Sequence, residues 1–166
     1  NLTYLHPENG VAEIVQLDLE LRHNSIRHLD VRSDGLVAAG MQWNGLEGEH
    51  PPLVMLHKRG DGPRLLSAPQ ERHRAMQGYV GSIAFIGDAR LIGATSPRGG
   101  YVQVFDADAP RYVASNSFTD LCGIATSRGG TTLWTSGTGA LGTVSETSFE
   151  TLAQNQWSWD NHLVVN

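Results

Sequence analysis

Chemistry in this chain would have to come from a small set of side chains: His28, His162, Asp120, Asp160, Asn161, Arg27, Arg98, Ser82 and the single cysteine, Cys122. Two imidazoles near a carboxylate can bind a metal or move a proton, and a guanidinium beside them recognises an anion. The seven histidines contain no helical i, i+4 pair and no clustered Cys/His spacing. A metal centre would rest on His28 and His162 alone, one short of the three protein ligands a catalytic zinc keeps. No cofactor is therefore expected. Gly137-x-Gly139-x-x-Gly142 spells a dinucleotide fingerprint, but that mechanism needs a helix N-terminus behind the glycines to receive the pyrophosphate. Here Leu141 to Val144 reads as a strand, and the glycines as a hairpin turn. Cys122, between Leu121 and Gly123, reads as a buried, inert thiol. Trp157 and Trp159 read as packing residues at a sheet junction.

The elements that must position these groups are strands. Apolar runs of four to seven residues, rich in Val, Ile, Leu, Thr and aromatics, are punctuated by Gly, Asp, Asn and Pro. One short loop helix is expected over 69–77, with Pro69 at its start and Gly78 at its end. The strands repeat. Ser25-Ile26-Arg27-His28, Gly81-Ser82-Ile83-Ala84 and Cys122-Gly123-Ile124-Ala125 each open a unit that turns at a Gly- or Asp-containing corner and continues through three more strands. The later units recur at about 40 residues, and the first is lengthened by insertions.

Four strands every 40 residues or so is the grammar of a β-propeller blade. The expected architecture is all-β: three four-stranded antiparallel blades at 25–79, 80–120 and 121–158. Residues 1–24 end a preceding blade, and 159–166 are the first strand of a following one. A β-sandwich also has many short strands, but it would not repeat the same four-strand unit.

In such a blade the first strand lines a central channel, and the longer loops emerge on one face. The stretches 43–51, 67–80, 96–100, 116–121 and 156–161 are the long connections, so Arg27, His28, Ser82, Arg98, Asp120, Asp160, Asn161 and His162 gather at one mouth, with Trp43 nearby. The set fits a pocket for a small ligand, a metal or a peptide. The same residues also fit the hydrogen-bond networks that tie blade to blade.

Composition narrows the partners. With 12 basic and 17 acidic residues the net charge is −5, which leaves no basic stripe for nucleic acid or an anionic membrane. No stretch approaches the 18 apolar residues of a spanning helix. The chain opens on Asn1 rather than Met, and we expect it to be part of a longer one.

The segments Ser25-Ile26-Arg27-His28, Gly78-Tyr79-Val80-Gly81-Ser82, Thr95-Ser96-Pro97-Arg98-Gly99-Gly100, Asp120-Leu121-Cys122-Gly123 and Trp159-Asp160-Asn161-His162 resemble an uncharacterised bacterial family. Its members are WD-repeat-like β-propeller proteins of unknown function, about twice as long, that begin with a twin-arginine export signal. The resemblance implies a periplasmic protein of which this is the C-terminal half. It also implies an iron- or haem-linked context, because family genes often lie beside imelysin-type and di-haem peroxidase-like proteins. The expected function is a non-catalytic binding or scaffold module that uses the loop-rich face for a protein partner or small ligand. The alternative is a metal- or quinone-dependent enzyme of the lactonase or dehydrogenase type, for which Asp120 and Asp160 are the only nearby carboxylates. Unpaired blade edges lead us to expect self-association.

Overall fold

Gly- and Asp-rich corners cut the apolar runs into fourteen strands and one short helix in the computed structural model, which describes residues 1–165. An N-terminal hairpin, β1 (Leu2–His6) and β2 (Gly10–Val15), stands as a two-stranded sheet. Three four-stranded meanders come after it. The first is β3 (Asn24–Val31), β4 (Val37–Trp43), β5 (Val54–His57) and β6 (Arg64–Leu66). The second is β7 (Ser82–Ile86), β8 (Leu91–Ser96), β9 (Tyr101–Asp106) and β10 (Arg111–Ser117). The third is β11 (Leu121–Thr126), β12 (Thr132–Ser136), β13 (Ala140–Val144) and β14 (Phe149–Gln154). Helix α1 (Gln70–Ala75) sits between β6 and β7, where Pro69 precedes it and Gly78, at φ +67°, turns the chain out of it. Sheet order follows chain order in each meander, and every pair is antiparallel.

The cores lie between successive sheets. Leu2 and Val15 of the hairpin pack on Val37, Met41 and Met55 of the first blade. Leu56, Leu66 and Val80 meet Phe85, Ile92 and Phe105 between the first and second blades. Val102, Val104 and Leu91 meet Trp134, Ile124 and Val144 between the second and third. Trp134 is wholly buried, stacks on Phe149 at 4.6 Å and donates its Nε1–H to the Thr143 carbonyl at 3.0 Å. Each such large side chain stabilises the fold by about 1.5–3 kcal/mol on burial. A sandwich would hold one core between two sheets. Serial cores between like meanders make the arrangement a propeller arc.

Close approach at the inner strands needs small residues. A methyl group placed on Gly40 of β4 would strike the Val80 side chain, and one on Gly93 of β8 would strike Ile124 of the next blade. Hydroxyls then stitch the backbones. Ser82 Oγ accepts the Ile124 N–H at 3.3 Å, Thr95 Oγ1 donates to the Cys122 carbonyl, and Thr126 Oγ1 donates to the Phe85 carbonyl. The hairpin is held by Tyr4, whose hydroxyl donates to Nδ1 of buried His57 at 2.8 Å. His57 Nε2 faces the Asp61 carbonyl at 2.9 Å, an acceptor only, so the ring proton sits on Nε2.

The long connections are fewer than the repeat implies: residues 44–53 and 67–81 around the first blade are long, whereas 97–100, 118–120 and 137–139 on the same face are no longer than the turns opposite, because the first blade alone carries the insertions. Trp43 N–H donates to the Gly78 carbonyl and Ser96 Oγ to the Met76 carbonyl, which gathers the long loops. At the opposite end Arg32 joins the tight turns of two blades, reaching Asp34 at 2.9 Å and Asp108 at 2.7 Å.

One expectation fails. The strand anticipated at His162–Val165 does not form: residues 162–165 belong to no sheet, and residue 166 lies outside the described residues. A strand exists by sharing its backbone N–H and C=O groups with one neighbouring edge. Here the C-terminal segment makes single bonds to side chains and carbonyls of different blades, and it runs along the channel without a ladder.

Gly93→Val should destabilise the chain by about 1–3 kcal/mol through overpacking against Ile124. Gly62→Ala, which opens onto free space, should stay within about 0.5 kcal/mol. Urea denaturation midpoints of the two variants check this.

Candidate functional site at the channel mouth

The innermost strands β3, β7 and β11 lie side by side and form one wall of the channel. Residues 161–165 run across them and border an open groove of about 350 Å³. Its polar lining includes His28 and Asp30 from β3, Ser82 from β7, Thr126 from β11, and Asn161 and His162 from the C-terminal segment. His28 and Asp30 share a face because alternate residues of a strand do.

The C-terminal segment is anchored at each blade it passes. The Trp159 carbonyl accepts from Cys122 Sγ at 3.4 Å and the Asp160 carbonyl from Thr135 Oγ1 at 3.5 Å. Asn161 Nδ2 donates to the Gly81 carbonyl at 3.0 Å and to the Tyr79 hydroxyl at 3.2 Å. The His162 ring then meets His28, with centroids 5.4 Å apart. Burial, with the nearby His162 and Arg27, holds His28 below the usual imidazole range. It therefore favours the neutral ring.

Of the residues singled out from the sequence, His28, Ser82, Asn161 and His162 meet at this cavity. Ser82 is committed to the fold, since its hydroxyl bonds the backbone of Ile124. Arg27 is exposed and does not line the cavity. Asp160 is exposed. Its Oδ1 accepts the Asn161 N–H at 2.6 Å, and its Oδ2 stands 3.7 Å from His162 Nδ1. Arg98 and Asp120 line a separate recess, with Arg98 lying 4.9 Å above the Tyr79 ring. Asp120 sits at φ +54° with its carboxylate against Gly137, which leaves no room for a side chain there.

Sequence reading missed Asp30 and Tyr79. Asp30 Oδ2 accepts the Phe85 N–H at 2.8 Å, and the signal was its i, i+2 spacing from His28. The paired tryptophans separate: Trp159 is half-buried and donates to the Gly139 carbonyl at 3.3 Å, whereas Trp157 is 61% exposed and is not a packing residue. Cys122 is buried, and burial pushes its thiol up, away from the reactive thiolate. The Gly137-x-Gly139-x-x-Gly142 run spans the β12–β13 turn and the first residues of β13. Gly139 adopts φ +95°, and Gly142 lies against Trp134 and the Glu150 carbonyl.

No group of three or more His, Cys, Asp or Glu placed to hold a metal occurs among the described residues. His28, His162 and Asp160 come nearest, but the third is drawn off toward solvent and the Asn161 N–H. Such a pair with a distant carboxylate does not fit a resident tetrahedral ion.

A family model described as "Protein of unknown function (DUF1513)" matches residues 1–166. The chain belongs to that family. No curated protein matches it. Among solved structures it is similar to the WD40 repeats of RRP9, at 20% identity and a TM-score of 0.58, with 81% of this chain and 40% of that one covered. A chain of the Mitotic Checkpoint Complex matches at 13% identity and a TM-score of 0.65, covering 92% of this chain and 43% of that one. Virginiamycin B lyase from Staphylococcus aureus, solved with quinupristin, matches at 11% and 0.57, covering 80% and 42%. At these identities the likeness is one of fold. The DUF1513 chain spans less than half the length of each of these proteins.

His28 and His73 both sit below 6.5, each chiefly through burial. The unfolded chain therefore takes up protons first as pH falls through about 6.5, and folding stability should drop as the pH is lowered below that point. Urea midpoints across that window should show the fall, and His28→Gln should lessen its slope.

Proposed function

We propose that this DUF1513 chain is a non-catalytic binding module that uses the loop-rich face of a rigid propeller arc to hold a small ligand or a partner segment. The observation that carries the reading is the open channel groove of about 350 Å³, walled by one inner strand from each blade and bordered by residues 161–165. Such a site offers a fixed mixture of apolar wall and a few convergent polar groups, the usual make-up of a binding pocket. Neutral His28, Asp30 and the Asn161 amide supply both donors and acceptors. The C-terminal segment is itself a stretch of peptide lying against the inner strands without a ladder, which supports an elongated ligand over a compact one. In keeping with the family resemblance, the module works in the periplasm after twin-arginine export, in an iron- or haem-linked setting.

Self-association belongs to the same proposal. The outer face of the β1–β2 hairpin presents Leu5, Val11 and Ile14 to solvent, and the edge strand β14 presents Leu152. Both invite a second copy.

Purified protein, prepared without chelator, should carry no stoichiometric metal in elemental analysis, and a small-molecule thermal-shift screen should yield ligands whose stabilisation is lost in Asn161→Ala. Stoichiometric metal that disappears in His28→Ala or His162→Ala would overturn the non-catalytic reading. Light scattering should report a mass that rises with concentration, and the double variant Leu5→Lys, Val11→Lys should return it to the monomer. A strict monomer at high concentration argues against self-association.

A further inference from the structure

One blade-to-blade contact repeats along the tight-turn ends of the sheets. Arg32, in the turn after β3, reaches Asp108 of the second blade at 2.7 Å, and Arg90, in the turn after β7, reaches Glu146 of the third at 2.7 Å. Each time an arginine from the turn joining the first two strands of one sheet crosses to an acid in the turn joining the last two strands of the next. The acids hold equivalent positions, Asp108 being the second residue beyond β9 and Glu146 the second beyond β13. The arginines sit at different points of their turns. The two ends of the arc hold the halves of a third such pair. Glu8 is the second residue beyond β1, in the place of Asp108 and Glu146, and Arg128 lies in the turn after β11. Both are exposed, and neither is ion-paired among the described residues.

The sheet faces at these two ends are also open. Leu2 and Val15 turn one face of the β1–β2 hairpin onto the first blade, so the alternate residues Leu5, Val11 and Ile14 point the other way, each more than half exposed. No charged side chain shares that outer face. At the far end Trp134 turns toward the second blade, so Leu133 points away from it, in register with Ala125 and Thr143. Leu141, beside Gly142 on β13, points the same way, and neither leucine belongs to any of the three cores. Glu150, opposite Thr143 on the edge strand, is the charged group of this face. The C-terminal segment takes the end nearest the loops, against Gly123 and Thr135.

We infer that two copies of this chain join head to tail: the outer face of one copy's β1–β2 hairpin lies on the outer face of the other's third sheet, and Glu8 of the first accepts from Arg128 of the second. The inference rests on the self-association reading and deepens it by naming the surfaces. Among the pairings two copies could make, head to tail alone repeats the junction already made twice within the chain, an arginine-bearing first turn beside an acid-bearing last turn over apolar sheet faces. Hairpin on hairpin brings no cation to Glu8. Because the two faces differ, the contact is heterologous, and each copy keeps its other face for a further junction.

The test is sedimentation equilibrium with the full 166-residue chain. Glu8→Arg and Arg128→Glu should each weaken association about fivefold, as loss of an exposed ion pair does, and the double variant Glu8→Arg, Arg128→Glu should recover most of it. A head-blocked variant, Leu5→Lys, Val11→Lys, and a tail-blocked variant, Leu133→Lys, Leu141→Lys, should each be monomeric alone. Mixed one to one they should associate, because each retains the face the other has lost. The charge variants lie in exposed turns and keep the test open should a blocked variant fail to fold. Association that ignores both charge reversals, a tail-blocked variant that still associates alone, or a mixture of folded blocked variants that stays monomeric overturns the head-to-tail junction and leaves self-association standing. A wild-type chain that is monomeric at every concentration overturns both.

Discussion

Everything in this molecule depends on how closely one blade can approach the next. A four-stranded meander has two apolar faces and cannot bury either alone, so each sheet must find another sheet. The approach is limiting at the inner strands, where the arc is tightest. Gly40 and Gly93 remove the side chains that would hold the blades apart, and the hydroxyls of Ser82, Thr95 and Thr126 replace the ladder bonds that cannot form between separate sheets. Farther out the gap widens, and large residues such as Trp134, Phe105 and Phe149 fill it.

This gradient from small to large also explains where function can sit. Side chains near the axis mix a few polar groups with an apolar wall, and they project from rigid strands, so the channel has a defined shape before any ligand arrives. The loops at the mouth are freer to vary, yet here they are tied down by backbone bonds such as Trp43 to Gly78 and Asn44 to His23. The face thus offers two kinds of surface. One is a groove bounded by strands, and the other a recess of mixed charge built on a loop around Trp43.

The repeat was legible because strand and turn chemistry is local. Ser33-Asp34-Gly35 and Arg128-Gly129-Gly130 announce corners by residue type alone, and Pro69 and Gly78 bracket the one helix. Channel residues on regular strands were legible for the same reason: once β3 is placed, His28 must face inward. What could not be read depends on long-range partners. His162 to Val165 have the composition of a strand, but a strand also needs a neighbouring edge, and composition does not supply one. Arg98 and Asp120 sit in loops of the right face, yet Asp120 turns through a left-handed conformation into Gly137 and leaves the channel. Asn24 has the sequence setting of an ordinary strand residue, and only its buried, unmatched oxygen sets it apart.

Cys122 adds a different property. Its sulfur is buried beneath the Trp159 carbonyl, so the segment crossing the channel covers the only thiol in the chain. A reagent that reacts with thiols can reach that sulfur only when residues 159–163 lift away or the third blade opens. The rate of labelling therefore counts openings of the channel, and any molecule that settles beneath the segment or displaces it will change that rate. The protein carries its own reporter of how firmly that segment is seated beside the place where binding is proposed.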